Sequence, residues 1–439
     1  MNIITMNFGP EALPDAGAIA QAADMLAQHQ RSGNALIVVV SALPGVSEML
    51  QESIDLSSYA RAHNKLLSIH TSAARKLVQE ARDRALLIQD VTDILETYNW
   101  MGRSMVNRSA TPPEAAAVLA VGERLSARLL AGHLQNRGVQ VVHAGEMIVT
   151  DDEYCAATPD EAGTRQRSAD KLMPLLAEGY IVIVGNGSGT TPEGRATRLN
   201  DSYQTASLLA ACAQASGLWL MTNRDGILTA DPELTPAAQT VPVISADTLT
   251  DLAHYGLRLP TAAALAPAAA AQIPIFIRNV LNPSHPGTFV QMRADTVVDN
   301  VPLIVARKNI RVLTITGGEP DPAEALRELA GEHIQALVGQ GEPGTLDFFL
   351  RADQLNIARL VLSRLYTHTR LETDSGRSAL IALIGTDRAS AAYLVRRLDT
   401  PARLVTLDGR TPHPALLVPE ESIKEVVEKI HNLTLPQPK

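Results

Sequence analysis

Ala35-Leu-Ile-Val-Val-Val-Ser41 is an unbroken apolar, largely β-branched run, the pattern of a strand buried on both faces. Upstream, Asn2-Ile-Ile-Thr-Met-Asn-Phe8 forms a second short strand that runs into the turn Gly9-Pro10. Between them, Ala16 to Gln30 places apolar residues at helical spacing. Strand, helix and buried strand predict a βαβ unit, and with it a parallel sheet.

Working outward, Val46 to about Leu134 is almost wholly helical in pattern. Within it Ser109-Ala-Thr-Pro-Pro-Glu-Ala is a helix start, with prolines in the first turn and an acid beside the positive end of the dipole. Strand patterns resume at Gln140-Val-Val-His-Ala and Gly179-Tyr-Ile-Val-Ile-Val-Gly. Ser202 to Ser216 reads as a helix, Leu218 to Thr222 and Ile273 to Asn279 as strands, and Gly287 to Val290 as a closing strand. After about Asp299 the texture changes. Two rounds of strand and helix follow, the first from Asn309 to Leu350 and the second from Ser378 to Ile430, reading as a degenerate repeat of small αβ modules.

Composition bounds the function. The 439 residues suit two or three domains, and 46% apolar residues are enough for buried cores. With 5 Phe, 2 Trp and 8 Tyr, those cores must be filled by Ala, Leu, Val and Ile. A net charge of −9 and few stacking rings argue against nucleic acid as a partner. Cys155 and Cys212 are too few for a disulfide scaffold or a multi-cysteine zinc site and fit a reducing cytosol. No basic start leads into an apolar stretch, and no apolar run is long enough for a bilayer. Ala262 to Ile277 is interrupted by Pro267, Gln272 and Pro274. A cytoplasmic protein without membrane contact is the expectation.

Two segments carry candidate chemistry. Gly185-Asn-Gly-Ser-Gly-Thr-Thr191 follows a buried strand, where converging backbone N–H groups would hold an anion; an ordinary tight turn fits equally well. Met221-Thr-Asn-Arg-Asp-Gly-Ile-Leu-Thr-Ala-Asp-Pro232 also follows a strand, at the end where open α/β sheets bind ligands; an ordinary polar loop whose Asp side chains cap their own backbone is the other reading. The histidines are scattered without metal-ligand spacing, so no metal site is expected.

Together these pieces resemble the aspartokinase branch of the amino-acid kinase superfamily along essentially the whole chain. Val38-Val-Val-Ser-Ala-Leu-Pro-Gly-Val46 is similar to V-V-S-A-x-x-G-V, and Gly122-Glu-Arg-Leu-Ser126 to the R-G-E-x-x-S helix. Met221 to Pro232 is similar to W-T-D-V-D-G-V-Y-T-A-D-P. Tyr255-Gly-Leu-Arg258, Ile273 to Asn279 and Pro286-Gly-Thr288 follow in the family's order. The resemblance implies an α/β fold, a mostly parallel central sheet sandwiched by helices, followed by two ferredoxin-like ACT (βαββαβ) modules. The corresponding domains are 1–298, with a helical insertion at about 46–134, then 299–374 and 375–439.

The resemblance also assigns roles. Thr222, Asp225, Thr229, Asp231 and Arg258 fall where the family holds ATP, used with Mg2+, and Ser41, Glu123 and Arg198 where it holds the amino-acid substrate. The catalytic positions are altered. The family's K-F-G-G-T becomes Asn7-Phe-Gly9-Pro-Glu11, which removes the lysine that neutralises the transferring phosphoryl group. In G-R-G-G-S-D the final aspartate falls on Tyr203 and the arginine on Leu199, with Arg198 beside it. The first aspartate of T-D-V-D-G is Asn223. Changes concentrated in chemical motifs point to a pseudokinase that senses a ligand or regulates a partner enzyme. The alternatives are a divergent aspartate kinase, with Arg124, Arg198 or Arg258 replacing the lost cation, and a metabolite-binding protein using the kinase pocket. The resemblance further implies a homodimer through the ACT modules, with Leu346-Asp-Phe-Phe-Leu350 as a pairing edge. Gly317-Gly318 and Gly385-Thr386 are turns where a small amino acid would dock, or plain αβ geometry.

Overall fold

The computed structural model describes residues 1–199, 201–292, 302–317, 320–332, 334–340, 345–374, 376–407 and 413–435. It divides into two compact units: Met1–Ile227 with Pro260–Met292, and Leu228–Leu259 with Arg293–Lys439. Residues 228–259, inside the stretch expected as one kinase-like domain, thus cluster with the C-terminal part. The expected boundary near 298 lies outside the described residues.

In the first unit the parallel strands Asn2–Phe8, Asn34–Val40 and Ile181–Gly185, then Val141–His143, extend to one side. Gly217–Thr222 and Ile275–Asn279 extend the sheet on the other side of Asn2–Phe8, and Thr288–Gln291 closes antiparallel to the latter. The chain's progression reverses at the first strand. Phe8 lies opposite both Val40 and Met221, and Val40 opposite Gly185, so four strands finish level at one edge. In two of them Val38 to Val40 and Ile181 to Val184 are fully buried, as continuous apolar runs require.

The helical insertion consists of Val46–Asp55, Tyr59–Leu77, Ala81–Met105, Pro112–Leu119 and Val121–Asn136. Thr111 and Glu114 cap the fourth, with Pro112 and Pro113 in its first turn. Glycine permits the closest approaches: a Cβ at Gly102 would stand 2.5 Å from Tyr59 Cβ, and one at Gly122 2.7 Å from Ala42 Cβ. A small separate sheet joins Ile148–Val149, Ser188–Thr190 and Ala196–Arg198. The alanine-rich segment forms a helix, Ala262–Ala270, with Pro267 inside it.

The second unit contains the two ferredoxin-like modules in an order the sequence does not suggest. In the first, the distal half of Leu303–Thr316, then Leu337–Gln340, Thr345–Arg351 and Arg370–Thr373 alternate with the helices Pro322–Gly331 and Leu355–Leu365. In the second, Ser378–Ile384, Arg403–Leu407 and His413–Pro419 combine with the helices Arg388–Val395 and Ile423–Thr434. Its fourth strand is the proximal half of Leu303–Thr316, Leu303 to Arg307, paired with Ser378–Ile384. The two modules are therefore not consecutive in sequence. One long strand serves both, and its register shifts between Arg307 and Ile310, where Asn309 takes φ 59°. Of the expected pairing edge Leu346 to Leu350, Leu346 to Phe349 are paired on both sides within this chain, with Val312 to Ile315 and with Leu337 to Gln340. Gly318 lies outside the described residues.

Candidate active site

Because four strands end level, their following residues collect at the carboxyl edge of the sheet, beside the first strand, where the strand order switches sides. Asn7 is 1% exposed, and neither Oδ1 nor Nδ2 has a partner among the described residues. Gly9 follows, and a Cβ there would stand 3.7 Å from the Tyr203 hydroxyl, so the tyrosine lies over the first turn. Tyr203 begins the helix Tyr203–Cys212, and its backbone N–H donates to Asp201 Oδ1 at 3.0 Å. Ser41 begins the loop after the second strand; its N–H donates to the Phe8 carbonyl, and its Oγ accepts from Asn186 Nδ2 at 2.9 Å.

The glycine-rich segment after Ile181–Gly185 resolves as a turn. Asn186 N–H donates to the Val40 carbonyl and Gly187 N–H to Thr205 Oγ1 at 2.9 Å, so these two donors are occupied by the protein itself. Gly187 takes φ 72°, and Ser188 to Thr190 continue as a strand.

Glu123, on Val121–Asn136, is 3% exposed, and its Oε1 is 2.9 Å from Arg198 Nη1. Burial pushes its carboxyl above the ordinary range, and the Arg198 guanidinium only partly offsets this. Glu123 Oε2 and Asn186 Oδ1 are buried acceptors without a partner among the described residues. Arg198 Nη1 also approaches Ser188 Oγ at 3.4 Å. Arg124, the next residue on the helix, pairs with Glu146 at 2.6 Å. Burial alone would push Glu146 up, but the Arg124 charge and hydrogen bond bring it below the ordinary range.

Thr222 Oγ1 accepts from Arg224 N–H at 3.0 Å, folding the loop back on itself. Asp225 Oδ1 accepts from Asn279 Nδ2 at 2.8 Å and from Asn282 Nδ2 at 3.1 Å. Thr229, Asp231 and Arg258 belong to the second unit. There Thr229 Oγ1 meets His431 Nε2 at 2.9 Å, and Asp231 Oδ1 accepts from Glu233 N–H at 3.0 Å. The first unit therefore brings Asn7, Gly9 and Tyr203 together at one strand end and Glu123 with Arg198 at another. Sequence reading gives no role to Asn186, Thr205, Asn279 or Asn282. Asn186, inside the glycine-rich segment, and Asn279, at the end of the quoted Ile-Arg-Asn motif, offer the only signals. Among the described residues no group of three or more His, Cys, Asp or Glu could hold a metal ion, and no helix is long and apolar enough to cross a membrane.

A family model described as the amino acid kinase family matches residues 2–279, the span that builds this edge. The chain belongs to the amino acid kinase family. Within that family it is 26% identical to lysine-sensitive aspartokinase 3 of Escherichia coli K12, over 98% of each chain. It is 24% identical to an aspartokinase of Thermus thermophilus, over 73% of this chain and 83% of that one. Its fold matches the crystal structure of E. coli aspartokinase III in complex with lysine and aspartate, with a TM-score of 0.77, 24% identity and coverage of 99% and 100%. The same enzyme in complex with aspartate and ADP matches with a TM-score of 0.72 over 98% and 99%. The fold of this amino acid kinase family member thus extends through the ferredoxin-like modules, as the resemblance implies.

Proposed function

We propose that this chain is an aspartokinase-like pseudokinase that binds a small amino acid and an adenine nucleotide, without forming an acyl phosphate at a kinase rate, and regulates a partner enzyme. The observation that carries this reading is Asn7. At the end of the first strand, where the family resemblance puts a phosphate-neutralising lysine, a neutral amide is buried with both polar atoms unpartnered among the described residues. Charge developing on a transferred phosphoryl group would find no ammonium there.

Two of the arginines considered as replacement cations are already engaged, Arg124 by Glu146 and Arg198 by Glu123. This weighs against a divergent active kinase. Ligand binding is supported by the unpartnered acceptors Glu123 Oε2 and Asn186 Oδ1, which suit the donors of an amino group. In such a complex Glu123 would receive the amino group and Arg198 would hold the carboxylate of Glu123 in place. MgATP enters this reading as a ligand only.

The test is to incubate the full chain with MgATP and aspartate, trap acyl phosphate with hydroxylamine, and measure nucleotide binding in the same sample. Nucleotide binding without hydroxamate is the expected result. Hydroxamate at an ordinary kinase rate overturns the proposal. Asn7→Lys should then raise phosphotransfer from background, whereas in an active kinase with another cation it would leave the rate unchanged.

A further inference from the structure

A separate cleft of about 660 Å³, partly open to solvent, lies in the first unit among the helices Glu161–Arg167, Tyr203–Cys212 and Ala262–Ala270, with Glu161, Arg165, Gln214 and Gln272 exposed. That volume is within the range of small-molecule sites. The last two helices end there, and both end in the same way. Gln214 and Gln272 follow the helix caps with φ 49° and 59°, and the next residues, Ala215 and Ile273, donate back to the carbonyls of Ala210 and Ala268. Glycine is the usual residue at such a position because it tolerates positive φ without steric cost. Here both positions carry glutamine, and both residues line the cavity. These glutamines precede the strands Gly217–Thr222 and Ile275–Asn279, at the amino edge of the sheet. The carboxyl edge holds the candidate active site.

The lining is polar in a specific way. Glu161 and Arg165 stand one helical turn apart, and Gln204 faces the same space as Gln214 and Gln272. Among the described residues none of these five side chains makes an ion pair or a hydrogen bond to the protein. The helix Ala262–Ala270 lines it with alanines and Pro267, which leave room without adding charge. The carbonyl ends of two helices add negative potential that favours an ammonium group.

We infer that this cavity binds a free α-amino acid with an uncharged side chain, its carboxylate on Arg165, its ammonium on Glu161 and its side chain among the glutamines and the alanine wall. A zwitterion meets both side chains at once, and a ligand lacking either charge loses one of these two contacts. Binding here does not depend on whether the kinase site turns over.

Cys212 lines the same cavity and serves as a local reporter. In the full chain carrying Cys155→Ser, the alkylation rate of Cys212 is measured with L-alanine, L-glutamine, N-acetyl-L-alanine or L-alanine methyl ester present, alongside calorimetric titration of each. L-Alanine and L-glutamine should bind and slow alkylation, and the two singly charged analogues should do neither. Arg165→Ala and Glu161→Ala should each weaken binding about tenfold, or ~1.4 kcal/mol. Gln214→Gly and Gln272→Gly relieve the backbone, so they should hold or raise the melting temperature while weakening binding. Absence of binding, binding that leaves Cys212 unprotected, or affinity unchanged in Arg165→Ala and Glu161→Ala would overturn the inference.

Discussion

Glu123 and Arg198 concentrate the electrostatics of the candidate site into one buried pair. Removing one partner of such a pair costs more than the pair itself contributes, because the other charge is left in a poor medium. Arg198→Leu should therefore lower stability by about 3 kcal/mol at neutral pH. The folded protein already holds the Glu123 proton more tightly than the unfolded chain, and losing the guanidinium strengthens that preference. Stability from this group is full below the ordinary carboxyl value of 4.5 and declines as pH rises through the folded value. The deficit of Arg198→Leu should thus shrink on acidification, as urea denaturation at several pH values will report. A deficit constant with pH would contradict the assignment. His70 behaves with the opposite sign. It is fully buried, with Nδ1 2.7 Å from the Leu66 carbonyl, and burial lowers its pKa from 6.5 to about 4. The unfolded chain takes this proton first, so stability present above 6.5 falls as pH drops toward about 4. A complete loss corresponds to roughly 3 kcal/mol at about 1.36 kcal/mol per pH unit. His70→Leu should flatten that acid limb in the same denaturation series.

At the scale of elements, the helical insertion is held together where glycine lets helices touch. Gly102→Ala gains helix propensity of about 1 kcal/mol, yet its Cβ would meet Tyr59 Cβ at 2.5 Å. Overpacking should win, for a net loss of about 1–3 kcal/mol by thermal denaturation. Gly331→Ala is the internal control, since a Cβ there meets nothing within 4 Å, and it should leave the protein unchanged or more stable. The contrast also indicates what the sequence can reveal. Helix and buried-strand positions such as Ala16–Arg31 and Ser378–Ile384 are legible because burial imposes a period on apolar residues. The strands Arg370–Thr373 and Arg403–Leu407 escape sequence reading because they span only four and five residues and are partly exposed, too short to establish a period of burial. Asn7 and Glu123 are legible from motif spacing. The Glu123–Arg198 link is not, because nothing local to either residue records a contact between separate elements.

At the scale of the molecule, the strand Leu303–Thr316 ties two modules into one sheet. Alternation of apolar residues predicts a strand but does not name its neighbour, so the sequence alone suggests consecutive modules. A fragment of residues 376–435 lacks the strand Leu303 to Arg307, and with it Ile304, which belongs to the core that includes Ile381, Leu416 and Val427. That fragment should be unfolded by NMR dispersion, and a peptide of residues 302–310 should restore structure to it. Cooperative folding of the fragment alone would show that the shared strand is dispensable.

The same strand imposes a timetable on biosynthesis. Leu303 to Arg307 leave the ribosome first, but their partner Ser378–Ile384 emerges only after the whole intervening module has been made. Until then one half of a continuous strand is paired and the other half offers an open edge, the kind of surface that neighbouring nascent chains can capture. The register shift at Asn309 gives those two halves different partners, so the distal half can complete its sheet while the proximal half waits for the rest of the chain.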